Sequence, residues 1–379
     1  MFDRSKPEAA KVRGRHYRRN SGLRRAGGRP FDSRAVLGAL DLGTNNCRLL
    51  VAIPNPGGFR VIDAFSKIVR LGENLATGRM LTEAAIERSI DALKICAEKL
   101  EKRGATRTRS VATEACRLAE NSSDFVERVR EETGLALDVI SSEEEARLAV
   151  MGCKALFDSA ADYILVFDVG GGSTEVTFVE KLEVNSYRIV EMLSLPYGVV
   201  RLAEEADGHS DAIAFHEEVR ETVKARLAEF QRSPRLKGKI DGAKIQLIGS
   251  SGTVTTMAAV SLGLESYIRS EVDGSTINSG EMLDLARRTA TMSKEERAAI
   301  PCVGEDRADL LVPGCAILEA ILETWQKETL TVADRGVREG ILRSLLPHSE
   351  AAVDLAWERL PEAEADGAAD RSTIDGEEA

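Results

Sequence analysis

Apolar residues run almost unbroken through 36–42 and again through 47–53, with Gly43-Thr44-Asn45-Asn46 between them. That pattern predicts two β-strands joined by a tight turn. Asn55-Pro56-Gly57-Gly58 then turns the chain into a third run near 59–70, so a meander of three antiparallel strands opens the fold. Next the period changes: Ile86, Ile90, Leu93, Ala97 and Leu100 recur at helical spacing behind an N-cap at Thr82, and Gly104 stops the helix. The pattern goes on to a strand (110–113), a short helix, a helix from Ser122 to about Gly134, a strand (135–140) and a helix from Ser142. This is the alternation of an α/β protein.

Residues 163–180 repeat the opening plan of apolar strand, aspartate, glycine-rich turn and apolar strand, with Asp41 and Asp168 in register. The repeat predicts two structurally similar halves. We place an N-terminal domain at 36–160 and a C-terminal domain at 161–347. The second half continues with a strand (189–195), helices near 199–206 and 212–230, and a strand (244–248) running into Gly249-Ser-Ser-Gly-Thr-Val-Thr255. Helices follow from 280 to 326, then a strand (329–332) and a helix (336–346).

The 379 residues are 43% hydrophobic and 30% charged, and none of the apolar runs reaches the roughly 20 residues of a membrane span. Net charge is −11, but it is sorted: residues 1–35 carry +8 and 349–379 carry −8. We expect a disordered basic arm (1–35) and a disordered acidic tail (348–379) around a body with no basic excess for tracking a nucleic-acid backbone. The arm lacks the apolar run of a secretory signal. Six cysteines without C-x-x-C spacing read as buried free thiols of a cytosolic protein. None of the four histidines adjoins a glycine-rich turn, which argues against a Ser-His-Asp hydrolase.

Candidate chemistry lies in three turns that each follow an apolar strand. They are Asp41 to Asn46, with Thr44, Asn45 and Asn46; Asp168 to Glu175, with Gly170, Gly171, Gly172, Ser173 and Thr174; and Ile248 to Thr255, with Gly252 and Thr253. Glycines let backbone amides approach an anion and hydroxyls add donors, so three such turns together point to a polyanion. The Gly-Lys-Ser/Thr of a Walker loop is missing. Asp41, Asp168 and Glu175 are candidates for holding Mg²⁺ or ordering water beside a phosphate. Ser142-Glu143-Glu144-Glu145 has the spacing of a capping box, yet one of these glutamates could equally face a cleft and deprotonate water. Arg117 and Arg307 stand near element ends where a phosphate clamp would lie.

With its motifs assembled, the chain resembles the Ppx/GppA family of exopolyphosphatases and guanosine pentaphosphate phosphohydrolases. The resemblance runs from about Val36 to Leu346 through ALDLGTNNCRLLVA, SVATEACRLAEN, ISSEEEARLA, VFDVGGGSTEV, LPYGVVRL, LIGSSGTVTTMA, EDRADLLVPGCAIL and DRGVREGIL. It implies an actin-like fold of two ribonuclease-H-like domains closing on a phosphate-bearing ligand. It also implies that Glu145 is the catalytic base, that Arg117 matches the arginine of the A-T-x-A-x-R segment, and that the loops from Asp168 and Gly249 bind phosphate. The further C-terminal helical domains of some members find no counterpart here, and the first loop has Thr-Asn-Asn where Ser-Asn-Ser is common. The expected protein is a cytosolic, Mg²⁺-dependent phosphohydrolase acting on inorganic polyphosphate or guanosine pentaphosphate, with no specific nucleic-acid partner and with a homodimer allowed. Its rivals are another actin-like ATPase or kinase, and a silent sensor that binds polyphosphate or alarmone.

Overall fold

The computed structural model describes residues 35–183, 186–206, 211–346 and 354–357. The basic arm and most of the acidic tail lie outside them. The chain opens with the expected meander, β1 (Leu37–Leu42), β2 (Asn46–Asn55) and β3 (Gly58–Ile68). Then come α1 (Leu75–Gly78), α2 (Glu83–Lys102), β4 (Arg107–Ala112), α3 (Glu114–Leu118), α4 (Ser122–Thr133), β5 (Leu137–Val139) and α5 (Ser142–Cys153). The second half begins with a second meander, β6 (Tyr163–Val169), β7 (Thr174–Glu183) and β8 (Ser186–Leu195). It continues through α6 (Val199–Ala206), α7 (Ala212–Gln231), β9 (Ile245–Ser250), α8 (Gly252–Ser261), α9 (Arg269–Val272) and β10 (Thr276–Asn278). The last elements are α10 (Ser279–Ala290), α11 (Lys294–Ala298), α12 (Glu305–Trp325), β11 (Thr329–Ala333), α13 (Val337–Ser344) and β12 (Asp354–Trp357).

Two mixed sheets result, ordered β3-β2-β1-β4-β5 and β10-β11-β9-β6-β7-β8-β12. In each, a β-meander joins parallel strands reached through helices, and the pair of sheets is the actin-like arrangement. One face of the first sheet buries Leu40, Leu42 and Leu49 against Ile86, Ile90 and Leu93 of α2, the stripe whose period announced that helix. The second sheet buries Phe167 and Phe178 among side chains of α7 and α12. Thr82 caps α2 as expected, its hydroxyl accepting from Ala85 N at 3.2 Å, and the positive φ of Gly104 (65°) follows the helix end.

Three features depart from the sequence reading. The cap of α5 is Ser141, whose Oγ accepts from Glu144 N at 3.3 Å, so the capping register lies one residue earlier than Ser142. Helix α13, counted with the second half, packs its Val337, Ile341 and Leu342 on the first sheet beside Leu148 and Ala149 of α5. Helices α5 and α13 cross closely enough that a Cβ on Gly340 would overlap Leu148 O and one on Gly152 would overlap Gly336 O. Finally, the tail is not uniformly irregular: Asp354–Trp357 pairs in parallel with the edge strand β8, an exposed edge that offers its free backbone groups to an apolar run.

Candidate functional site

The two meanders place equivalent turns face to face across a cleft of about 350 Å³, within the range of small-ligand sites. Thr44, Asn45 and Asn46 line it from the first turn, and Gly170, Gly171, Gly172 and Ser173 from the second. In both turns the carbonyls are tied down from behind. Gly72 N donates to Thr44 O, and Val69 N and Arg70 N donate to Asn45 O, while Val199 N and Val200 N donate to the carbonyls of Gly170 and Gly171. The amides of Thr44, Asn45, Gly171, Gly172 and Ser173 have no protein acceptor among the described residues. Such a set of unsatisfied donors has the chemistry to cradle an anion.

Gly252 and Thr253 add the N-terminus of α8, where Ser251 Oγ caps Val254 N at 3.1 Å and leaves the two preceding amides open. Ser251 itself has φ 143°, a conformation side chains rarely adopt. Gly170, Gly171 and Gly172 do not have positive φ. The second turn needs glycine for closeness instead: a Cβ on Gly171 would lie 3.1 Å from Thr44 Cβ and 3.2 Å from Asn45 N, against the opposite turn.

Charge is distributed unevenly around this cradle. Asp41 and Asp168 line the cleft from the ends of β1 and β6. Burial raises the pKa of Asp41, partly offset by Arg48 and Arg338, and burial pushes Asp168 up to about 6, with Asp41 adding to the rise. Two half-buried carboxylates, with the charge of Asp41 opposing the ionisation of Asp168 and only oxygen donors, suit a hard divalent cation that takes one or two carboxylates and completes its shell with phosphate and water. Glu175 does not join them: the described residues hold no cluster of three ligating side chains. Its side chain is 4% exposed and accepts from Ser173 Oγ at 2.6 Å and Ser194 Oγ at 3.0 Å behind the turn. Burial raises its pKa well above the usual range, with the charge of Glu145 contributing. Thr174 also turns away, its Oγ1 donating to Tyr197 O at 2.7 Å.

Glu145 faces the cleft. The earlier cap register explains why: Glu145 N already donates to Ser141 O, so its carboxylate has no capping task. Arg117 Nη1 donates to Glu145 Oε2 at 2.7 Å and to Ile140 O at 3.0 Å, and Arg117 is not among the cleft-lining residues. It holds Glu145 rather than reaching into the cleft. Burial pushes Glu145 up to about 7, against the lowering effect of Arg117 and with Asp41 and Asp168 adding to the rise. A carboxylate poised there can take a proton from water near neutral pH.

Three further residues on the cleft wall were not singled out from the sequence. Arg48 lines it two positions into β2, on the face it shares with its cross-strand partner Asp41. Arg338 lines an adjoining chamber of about 270 Å³ that shares Asp41, Arg48, Asp168 and Arg307 with the cleft. Neither Arg48 nor Arg338 forms an ion pair or side-chain hydrogen bond among the described residues. Arg307, expected as a clamp, does line the cleft and donates to Thr256 Oγ1 at 3.1 Å. The third is Glu114, 8% exposed, whose Oε2 is buried without a partner and whose pKa burial raises. The Asp41 to Arg48 register was readable from the predicted hairpin, and Glu114 stands in the same Ala-Thr-Glu-Ala-Cys-Arg run as Arg117. Arg338 stands in the DRGVREGIL segment, where nothing distinguishes it from the neighbouring Arg335.

Of the histidines, His216 pairs with Glu319 at 2.9 Å on α7 and α12, away from the cleft. All six cysteines are free, and five are buried. Among the described residues no helix is long and apolar enough to cross a membrane.

Comparison with known proteins gives this geometry its context. Residues 50–349 match the model of the Ppx/GppA phosphatase family. Exopolyphosphatase 2 of Mycobacterium tuberculosis is 32% identical over 323 residues, covering 81% of this chain and 97% of that protein. The crystal structure of the Aquifex aeolicus Ppx/GppA family member superposes with a TM-score of 0.68 at 29% identity, over 81% of this chain and 96% of that one. An exopolyphosphatase from Cytophaga hutchinsonii shares the fold at 24% identity, with a TM-score of 0.70 over 82% and 97% of the two chains.

Proposed function

The chain belongs to the Ppx/GppA phosphatase family, and we propose that it hydrolyses the terminal phosphoanhydride bond of inorganic polyphosphate, with guanosine pentaphosphate as the alternative substrate of the same reaction. One observation carries the reading: Glu145, held by Arg117 and poised near pH 7, shares a cleft with open amides and with Arg48, next to a chamber holding Arg338, and neither arginine has an ion pair or side-chain hydrogen bond among the described residues. Free cations and amides around one cavity call for a ligand of several negative charges. Ser173 Oγ is bound to Glu175, Ser251 Oγ caps Val254 N, and no serine, cysteine or histidine among the described residues hydrogen-bonds Glu145, so this base calls for water as the acceptor.

In this reading the terminal phosphoryl group sits against the amides of Thr44, Asn45 and Gly171 to Ser173 and against the α8 N-terminus. The next phosphates lie along Arg48, Arg307 and Arg338. Glu145 accepts a proton as the water oxygen bonds to the terminal phosphorus. The bridging P–O bond breaks and the shortened chain leaves with its electron pair. Arg117 positions Glu145, and Asp41 and Asp168 would hold Mg²⁺. When bound, that ion offsets charge on the transferring phosphoryl oxygens. We place the protein in the cytosol, where such substrates occur.

The test compares orthophosphate release from long-chain polyphosphate, tripolyphosphate, guanosine pentaphosphate and ATP under the same Mg²⁺. Release from polyphosphate or guanosine pentaphosphate exceeding that from ATP is expected. ATP turnover that requires a hydroxylated acceptor would reassign the protein as a kinase, and tight polyphosphate binding without release would make it a sensor.

A further inference from the structure

A second, smaller cavity adjoins the cleft. Thr44, Glu114 and Gly172 line the cleft from one side and a cavity of about 40 Å³ from the other, and Leu118 and Arg201 also line that cavity. The partition is thin: a Cβ on Gly172 would overlap Glu114 Oε2 and lie 2.9 Å from Thr44 Oγ1. Leu118, at the outer end, is 56% exposed. This cavity lies across Gly172 from the cradle and shares no lining residue with the chamber of Arg48, Arg307 and Arg338.

We propose that this cavity is a rear exit for orthophosphate. The proposal rests on the phosphohydrolase reading above. A polyphosphate chain drawn in along the three arginines fills the front of the cleft after its terminal bond breaks. Orthophosphate is then formed at the blind end and has to wait for the chain to leave, unless it departs from behind. Arg201 gives the rear opening a cation, its Nε 2.9 Å from Glu205, to draw the product outward.

At about 40 Å³ the passage holds a few waters but not a phosphate, so it has to widen. Its wall includes Gly72 and Leu75, from a segment in which three non-glycine residues take left-handed backbone conformations: Arg70 (φ 47°), Asn74 (φ 59°) and Arg79 (φ 57°). Such conformations persist where surrounding contacts hold them. Across the opening, Asn74 N donates to Glu204 Oε1 of α6 at 2.9 Å, joining the first half to the second. Breaking that latch lets the segment move and the passage open.

The experiment uses the full chain with long-chain polyphosphate. Quench-flow measures bond cleavage, a fluorescent phosphate sensor measures free product, and a gel reads the chain lengths left behind. Leu118→Trp narrows the outer end at an exposed position away from the reacting groups. It should leave the cleavage step at the wild-type rate, slow release several-fold so that bound phosphate builds up as a burst, and produce intermediate chain lengths. Glu204→Ala, which opens the latch, should release product at least as fast as wild type. The effect of Leu118→Trp should be weaker with tripolyphosphate, whose pyrophosphate leaving group clears the front readily. Unchanged release and chain lengths in Leu118→Trp, or equal slowing on both substrates, would overturn the exit alone. A wild-type protein that cleaves neither substrate would instead overturn the phosphohydrolase reading, and the exit with it.

Discussion

The two halves carry the same hairpin with opposite electrostatics. In the first, Asp41 at the end of β1 stands in register with Arg48 on β2; in the second, Asp168 at the end of β6 stands in register with Glu175 on β7. Paired positions on adjacent antiparallel strands share a face, so Asp41 has a cation beside it and Asp168 a second acid. Burial raises both aspartates and Arg48 restrains both, while the acid beside Asp168 is removed from the cleft by its bonds to Ser173 and Ser194. One repeated backbone plan thus yields a first hairpin with an arginine on the cleft wall and a second hairpin whose equivalent residue is turned away, leaving glycine and serine amides there. The fold fixes where side chains stand, and the residues placed there decide the chemistry.

Removing the base should have the largest effect. Glu145→Gln keeps the shape of the side chain and its contact with Arg117, so the melting temperature and polyphosphate affinity should hold while kcat falls roughly 10²–10⁴-fold. Near-wild-type turnover would end the assignment of proton transfer to Glu145. Next in size, Arg48→Ala should raise KM by about 10–100-fold, the value of one or two charge-assisted hydrogen bonds, and Arg338→Ala should do likewise. Glu175→Gln, at the position equivalent to Arg48, should leave KM nearly unchanged. Equal effects of Arg48→Ala and Glu175→Gln would abolish the contrast between the hairpins.

Arg117→Ala tests the positioning role. Arg117 favours the charged form of Glu145, so its loss moves the proton-acceptor pKa upward from about 7. The rising limb of kcat/KM against pH should shift to more alkaline values, and a simple drop in rate with an unmoved limb would reduce Arg117 to a structural residue.

The smallest effect is on stability. The pKa of Asp168 rises on folding from its ordinary 3.8 to about 6, so the native state binds the proton more tightly than the unfolded chain. This group costs nothing below the unfolded pKa and progressively destabilises the fold as pH rises through the folded one. In metal-free buffer Asp168→Asn should therefore gain about 1–3 kcal/mol at pH 7 and lose that gain below pH 4, as followed by thermal unfolding. A gain independent of pH would show that the carboxylate is not the source.

Much of this was legible before any coordinates, because strand and helix periods are local. The two meanders, the helix behind Thr82, the glycine turns and the glutamate run all stand where the patterns placed them, to within a few residues. The cap of α5 was misplaced by one residue because Ser141 and Ser142 offer the same hydroxyl, and only the bond from Glu144 N distinguishes them. That single step decides whether Glu145 caps a helix or faces a cleft. At Gly171 a Cβ would crowd Thr44 and Asn45 in the opposite turn, a contact that the local pattern does not show.

By itself the sequence determined the elements and the glycine-rich turns that follow apolar strands, since each of these depends on residues within a dozen positions of one another. Tertiary structure alone decided which charges meet. Arg117 reaches Glu145 across 28 positions, and Arg338 arrives beside Arg48 from the far end of the chain because α13 returns to the first sheet. That return depends on close crossing with α5, which Gly152 and Gly340 permit by lacking a Cβ at the contact. In a helical pattern those glycines register only as weak formers. Their value is in excluded volume against a distant backbone, a property that exists only once the chain has folded.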